Sequence, residues 1–479
     1  MPSTFETVIG LEIHAEIATQ SKLFCSCSAS AWNSLPNEHT CPICMGFPGQ
    51  LPVVNKEAVS KALIASLALN CVVPPFSKFD RKNYFYPDLV KGFQISQFDQ
   101  PLSQNGFLNI EIGDEKKKIR INRLHVEDDA GKLSHVSGGS LCDYSRSGIG
   151  LMEIVSEPDI RSSQQAELYA RAIQSILRYV NASEADMEKG MMRFDASVSL
   201  RPEGDEKLYP RAEIKNLNSF RSLVSAIEFE VRRQRKLWDD GQHQSKDITV
   251  GWDEEKGETY FMRDKEGADD YRYFPEPDLP PLLVNEEMLG EIRKQLPELP
   301  MQKRDRYIAD FGLAKDDAVL LVSDKDLAAY FEKTLAATKE QPKKVASFVT
   351  SVVLFYVKEN ARPIAEFSIT PQKVAELLDL VADGKVSNTM AKTEVFEAMY
   401  ETGKSAAEII EEKGLSQVSD TGAIETIAQK VLAENPSVVA EYKSGREKVF
   451  GFLVGQVMKE MKGKANPQMA SDILKKLIL

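Results

Sequence analysis

Glu12, His14 and Glu16 stand at every second position of residues 7–17, with Ile9, Leu11, Ile13, Ala15 and Ile17 between and around them. Side chains of a strand alternate between its faces, so this spacing predicts one apolar face and one carrying carboxylates around an imidazole. Residues 192–200 repeat the pattern. Met192, Phe194, Ala196, Val198 and Leu200 take one side, and Arg193, Asp195, Ser197 and Ser199 the other. Arg211, Glu213 and Lys215 repeat it a third time. A solvated sheet face alternates too, but usually with Thr and Lys rather than paired carboxylates, a His and arginines. Carboxylates with one imidazole suit a hard divalent ion such as magnesium, whereas Arg and Lys suit phosphate oxygens.

Two acidic segments extend this chemistry. Glu127, Asp128 and Asp129 are consecutive, and adjacent acids are costly unless solvated or offset by a cation, which makes a metal site a candidate. Glu153 interrupts the apolar run 151–155; a carboxylate buried there needs a metal, an arginine or a backbone cap. Residues 77–88 alternate bases with aromatics, a combination that holds a nucleotide or an unpaired RNA end, although a packed loop explains it as well. Arg81 and Tyr84 from this segment, with Arg193, Asp195, Ser197 and Lys215 from the strands, are the candidate nucleotide-binding residues. Standard phosphate loops are missing. Gly403-Lys404-Ser405 ends like one, but Ala398 replaces its first glycine, and Gly148-Ile-Gly150 lacks the third glycine of a dinucleotide fingerprint.

Four of the six cysteines form two close pairs, Cys25 with Cys27 and Cys41 with Cys44. Two such pairs joined by a loop can close a tetrahedral thiolate cage around zinc, which leaves no open position and makes the metal structural. Buried or disulfide-bonded cysteines are the alternative. His39 lies awkwardly close to Cys41 for a substitute ligand. Cys71 and Cys142 stand alone and read as core residues.

These residues need a scaffold, and strand signals recur at 7–17, 107–112, 119–126, 151–155, 192–200 and 211–215. Helical signals fall at 57–70, 164–180 and 219–238. Strands clustered without regular strand–helix alternation favour an α+β fold with an antiparallel or mixed sheet. A Pro-rich stretch, Tyr273-Phe-Pro-Glu-Pro-Asp-Leu-Pro-Pro281, precedes a helical remainder with segments at 325–338, 344–360 and 371–382. Another break near Gly403 sets off a small helical tail. The expected domains are 1–294, 295–405 and 406–479.

A chain of 479 residues with 28% charged and 42% hydrophobic residues is neither disordered nor collagenous, and it is long enough for several domains. Its net charge of -12 argues against general polyanion binding, so contact with nucleic acid requires a local basic patch. Neither a signal peptide nor a membrane span is expected, which points to a cytoplasmic location.

Several runs together resemble the B subunit family of bacterial and organellar aspartyl/glutamyl-tRNA amidotransferase. They include Gly10-Leu-Glu-Ile-His14, Phe79-Asp-Arg-Lys-Asn-Tyr-Phe-Tyr-Pro-Asp88 and Gln94-Ile-Ser-Gln-Phe-Asp99. Leu124-His-Val-Glu-Asp-Asp-Ala-Gly-Lys132, Glu153-Ile-Val-Ser-Glu-Pro-Asp159, Lys215-Asn-Leu-Asn-Ser219 and Asp269-Asp-Tyr-Arg-Tyr-Phe-Pro-Glu-Pro-Asp278 continue the likeness to Gly451-Phe-Leu-Val-Gly-Gln456.

The resemblance implies a cradle-shaped catalytic domain with a zinc-ribbon-like insertion, an all-helical domain and a YqeY-like tail. It also implies an activity: ATP phosphorylates the side-chain carboxylate of Glu or Asp mischarged on tRNA(Gln) or tRNA(Asn), and ammonia then displaces phosphate. Ammonia would arrive from an amidase subunit, with a small third subunit completing a heterotrimer. Magnesium ligands would be Glu12, His14, Asp128 and Glu153, with Glu127 close by, and Lys82 would lie near the phosphates. Zinc at Cys25, Cys27, Cys41 and Cys44 would support the fold or the tRNA end.

A non-catalytic tRNA-binding scaffold with a structural zinc is the competing class, and a magnesium phosphohydrolase a third. From Lys443 onward the chain has eight bases (Lys443, Arg446, Lys448, Lys459, Lys462, Lys464, Lys475, Lys476) against Glu447, Glu460 and Asp472. The family likeness makes this tail a candidate for contact with the tRNA backbone.

Overall fold

The computed structural model describes residues 4–113, 115–265, 267–360, 362–416, 421–461 and 465–478. The chain divides into two compact units, Met1–Leu299 and Pro300–Leu479.

An eight-stranded sheet organises the first unit. Its strands are β1 (Phe5–Glu16), β2 (Ser103–Ile112), β3 (Glu115–Asp128), β4 (Gly150–Ser156), β5 (Met192–Pro202), β6 (Ala212–Leu217), β7 (Ile248–Asp253) and β8 (Glu258–Asp264). They lie in the order β8-β7-β6-β5-β1-β4-β3-β2. All neighbours are antiparallel except β6 and β7, which makes the sheet mixed.

One face of this sheet is a core. Ile9, Leu11, Ile13 and Ala15 of β1 and Met192, Phe194, Ala196 and Val198 of β5 are almost fully buried. Helices α1 (Lys56–Ala68), α2 (Ser163–Tyr179) and α3 (Phe220–Asp239) pack on the sheet. Each starts at a side-chain cap that satisfies free backbone N–H groups: Asn55, Ser162 and Ser219 respectively. Tyr169, Ala170, Ile173 and Leu177 of α2 and Leu223, Ala226 and Ile227 of α3 join the strands in one cluster. Fully burying one such large side chain contributes about 1.5–3 kcal/mol, so slipping β1 by one residue would forfeit several of these at once. The apolar face is thereby committed inward, and period two sends Glu12 and His14 to the other side.

Two strands expected from nothing in the pattern, β7 and β8, extend the sheet. β3 starts earlier than its apolar residues suggest, because Glu115 to Lys118 still pair with β2. Strands Asp80–Asn83, Phe93–Ser96 and Phe274–Pro275 form a small separate sheet that docks on the end of β3. Cys71 is buried as expected, but Cys142 is only half-buried, on the two-stranded hairpin formed by Lys132–Val136 and Gly139–Asp143.

The second unit is helical. One group of buried apolar residues runs from Tyr307 to Leu415, another from Ile424 to Ile478. The single helix expected at 344–360 is interrupted: Pro342–Phe348 passes through a π turn, Val349–Val353, before Leu354–Glu359. Among the described residues no helix is long and apolar enough to cross a membrane. Lys462 and Lys464 of the basic tail lie outside the described residues.

Candidate active site and thiolate cluster

Register across three strands gathers the first group. His14 of β1 stands opposite Glu153 of β4, which stands opposite His125 of β3 on its other side. Glu127, two residues beyond His125, shares that face. His14 Nε2 lies 3.3 Å from Glu153 Oε2 and 3.9 Å from Glu127 Oε1. His125 Nε2 lies 3.2 Å from Glu153 Oε2 and 3.5 Å from Glu127 Oε2. Ser96 Oγ donates to Glu127 Oε2 at 3.1 Å.

All four ionisable groups are buried. Burial works against charge on each, yet the Glu153 and Glu127 carboxylates together outweigh it at both imidazoles, raising His14 and lifting His125 to about 9. In return the imidazoles hold Glu153 well below the usual carboxylate range and Glu127 below it. His14 Nδ1 is buried without a hydrogen-bond partner among the described residues. Ligand atoms of His14, Glu127 and Glu153 lie within 4.8 Å of one another, a donor set that suits a divalent cation.

A second group adjoins it. Glu12 stands opposite Asp195 of β5, and ligand atoms of Glu12, Asp195 and Glu213 again lie within 4.8 Å. Between Phe194 and Ala196 the β5–β6 register shifts, so that one extra residue of β6 faces Asp195. Such a bulge re-aims side chains, and Lys215 Nζ reaches both Asp195 (2.6 Å) and Glu213 (2.7 Å). Lys265 also pairs with Glu213. Burial raises Glu12, and the Glu153 and Glu213 carboxylates add to the effect. Glu213, buried too, is drawn down to about 2 by Lys215 and Lys265. Since Glu153 acts on Glu12 across this short span, the two groups are electrostatic neighbours, and β1 carries one residue of each.

The consecutive acids part company. Glu127 faces the imidazoles, whereas Asp128 pairs with Lys91 and accepts from Ile95 N at 2.8 Å. Successive strand residues point to opposite faces, so Asp128 does not join His14 and Glu153; Glu127 stands where a ligand beside them would. Asp129 pairs with Arg193 (3.2 Å) and Arg146 (3.4 Å).

Arg81 is also committed elsewhere. Its guanidinium makes a two-pronged bond to Glu276 (2.7 and 2.9 Å) and lies over the Phe93 ring. Lys82 Nζ, by contrast, sits over Tyr271 (4.8 Å) and Tyr84 (5.7 Å). Burial opposes its charge, but Glu127 and Glu153 reverse the balance and raise its pKa. Buried Ser197 faces Glu213 in register. The polar side of the sheet thus brings together Glu12, His14, Glu127, Glu153, Asp195, Ser197 and Lys215, with Arg193 beside His14 in register and Lys82 nearby.

His125 and Lys265 were not singled out from the sequence. His125 had a signal, its even spacing from Glu127; Lys265, just past the end of an unexpected strand, had none. Chemically, two adjoining acidic groups of ligand geometry can hold divalent cations, which together with a nearby ammonium would neutralise the concentrated negative charge of phosphoryl oxygens.

The cysteine loop forms a separate cluster. Sulfurs of Cys25, Cys27, Cys41 and Cys44 lie within 4.8 Å of one another, and all four cysteines are free. A tetrahedral zinc site with bonds of about 2.3 Å places its sulfurs about 3.8 Å apart, so the residues fit the metal. Hydrogen bonding from Cys25 and the nearby Lys22 charge hold the Cys44 thiol far below its ordinary value. His39 offers its backbone carbonyl to Lys22.

Comparison with known proteins gives first a class. Residues 7–290 match the family model of the GatB/GatE catalytic domain, and residues 329–478 match that of the GatB domain. The chain is 49% identical over 474 residues, 99% of each chain, to a Persephonella marina protein named as the B subunit of aspartyl/glutamyl-tRNA(Asn/Gln) amidotransferase. Proteins of the same name from Caldanaerobacter subterraneus subsp. tengcongensis (50% over 472 residues, 98% of each chain) and Brevibacillus brevis (47% over 478 residues, 99% of each) are similar. The chain belongs to the family of aspartyl/glutamyl-tRNA(Asn/Gln) amidotransferase B subunits.

Proposed function

We propose that this chain is the carboxylate-activating subunit of a tRNA-dependent amidotransferase, acting on Glu-tRNA(Gln), Asp-tRNA(Asn) or both. The observation that carries the reading is the polar sheet face, where His14, Glu127 and Glu153 adjoin Glu12, Asp195 and Glu213. In the first step a carboxylate oxygen of the mischarged amino acid attacks the γ-phosphorus of ATP, and the bond to ADP breaks. Ammonia then attacks the acyl carbon, phosphate leaves, and nitrogen sheds a proton to give the amide.

Both steps crowd anions together, so neutralisation and alignment dominate. His14, Glu127 and Glu153, with Glu12, Asp195 and Glu213, would hold magnesium, which supplies charge neutralisation at phosphate oxygens when bound. Lys82, walled by tyrosines, would hold the anionic reactant over this face. Arg193, kept in place by Asp129, and Lys215 would bind phosphate oxygens. Asp128 would support the site through Lys91 without taking part, and Arg81 would anchor the segment bearing Glu276. An amidase subunit and a small subunit would complete the complex and deliver ammonia through a channel. Zinc at the four cysteines would hold their loop, and the tail after residue 405 would touch the tRNA backbone.

The test is reconstitution with amidase and small subunits of a relative, followed by assay of each mischarged tRNA with glutamine. ATP-dependent conversion of at least one is expected. Conversion of neither by an assembled complex overturns the proposal. Undiminished conversion by a Glu153→Ala complex would instead assign this chain a scaffold role.

A further inference from the structure

Lys22 is completely buried, 0% exposed, and its hydrogen-bond partners among the described residues include no carboxylate. Its Nζ has three neighbours: the backbone carbonyls of His39 (2.6 Å) and Tyr144 (3.4 Å) and the sulfur of Cys44 (3.7 Å). A buried ammonium without an anion is costly, and two carbonyls offset this only in part. The cysteine cluster supplies the missing charge. Four thiolates around a dication carry a net charge of about −2, and an ammonium at one sulfur offsets half of it.

We infer that Lys22 is the charge-compensating residue of the zinc site, donating to Cys44 Sγ and thereby setting how tightly the four cysteines hold the metal. The inference rests on the zinc reading proposed above. The local fold is built for the contact. Lys22 N donates to Cys27 O (2.9 Å) and Leu23 N to Gly148 O (2.9 Å), which fixes the backbone on either side of the side chain's root. A Cβ at Gly148 would lie 3.3 Å from Cys44 Cβ and 3.6 Å from Lys22 Cδ, so glycine there leaves room for both. Outer-shell partners of metal ligands are generally worth about 10–100-fold in affinity.

The test uses the full-length chain and three variants. Lys22→Met removes charge and donor. Lys22→Gln keeps a donor for the carbonyls without charge, and Lys22→Arg keeps the charge. Zinc affinity is measured by competition with a chromophoric chelator. Cobalt(II) is then substituted, and its sulfur-to-metal charge-transfer band is recorded. Lys22→Met and Lys22→Gln should bind zinc about 10-fold or more weaker and move the cobalt band to lower energy, since an unneutralised thiolate gives up an electron more easily. Lys22→Arg should restore most of both. Parental affinity and an unmoved band in Lys22→Gln would reduce Lys22 to a clamp between two loops and overturn the inference, even should Lys22→Met fail to fold. A parent chain that takes up neither metal would remove the zinc reading itself.

Discussion

Glu127 and Asp128 are neighbours with the same charge, and the sheet separates what they can do. Glu127 meets two imidazoles and lies on the face shared with Glu153; Asp128 meets Lys91 and a backbone amide on the other. Glu127→Ala should therefore lower the proposed amidation per folded molecule by about 100-fold or more, with some loss of stability because two buried imidazoles lose a partner. Asp128→Ala strips a buried ammonium of its partner and should cost about 3–5 kcal/mol in unfolding experiments on the first unit, the folded fraction keeping much of its turnover. Reversed outcomes would show that the alternation does not assign the roles. Most of this was legible in the residues: Glu12, His14 and Glu153 were marked by being polar where a strand should be apolar or alternate. What the pattern hid was which of three consecutive acids faces which way, because that depends on strand register.

Elements decide that register. β1 lies between β4 and β5 because its apolar face is unbroken from Ile9 to Ala15, and helices α1–α3 lock it. Glu6 ties β1 to its surroundings through Arg201 (2.5 Å) and Arg161 (2.8 Å). Partial burial raises the Glu6 pKa, but the two arginines more than reverse this, so its folded value lies below the ordinary one. Its contribution is thus complete above the unfolded value, about pH 4.5, and is lost as pH falls through the folded value. Glu6→Gln should lower the unfolding free energy near neutrality by roughly 1 kcal/mol, and the difference should shrink progressively as pH falls below about 4.5.

Gly106 shows another constraint. A Cβ there would meet Cys71 Sγ at 2.3 Å and the Leu69 carbonyl at 2.8 Å, so Gly106→Ala should cost about 1–3 kcal/mol by forcing β2 from the end of α1. β7 and β8 escaped the sequence reading for a related reason: exposed Tyr260, Phe261 and Met262 on the outermost strand give no clean alternation. The small sheet that carries Lys82 pairs strands nearly two hundred residues apart, Arg81 with Phe274, which no local pattern encodes.

At the scale of the molecule, a net charge of -12 coexists with a basic tail, a division suited to one local nucleic-acid contact. Deleting residues 421–479, which lie beyond the core group that ends at Leu415, should weaken tRNA binding and flatten its salt dependence while sparing ATP hydrolysis by the assembled complex; equal affinity at two salt concentrations would contradict the tail's proposed role. The central claim, though, is that carboxylate activation takes place on the polar face of the sheet. Hydroxylamine traps an acyl phosphate as a hydroxamate, so it reads activation directly when the amidase partner has been inactivated and no ammonia is supplied. With ATP and mischarged tRNA, the parental complex should yield ATP-dependent side-chain hydroxamate, separated chromatographically from the α-hydroxamate that hydroxylamine forms from the aminoacyl ester. Complexes carrying Glu153→Ala or His14→Ala should assemble and yield almost none of the side-chain product. Parental yields from both variants would contradict the account.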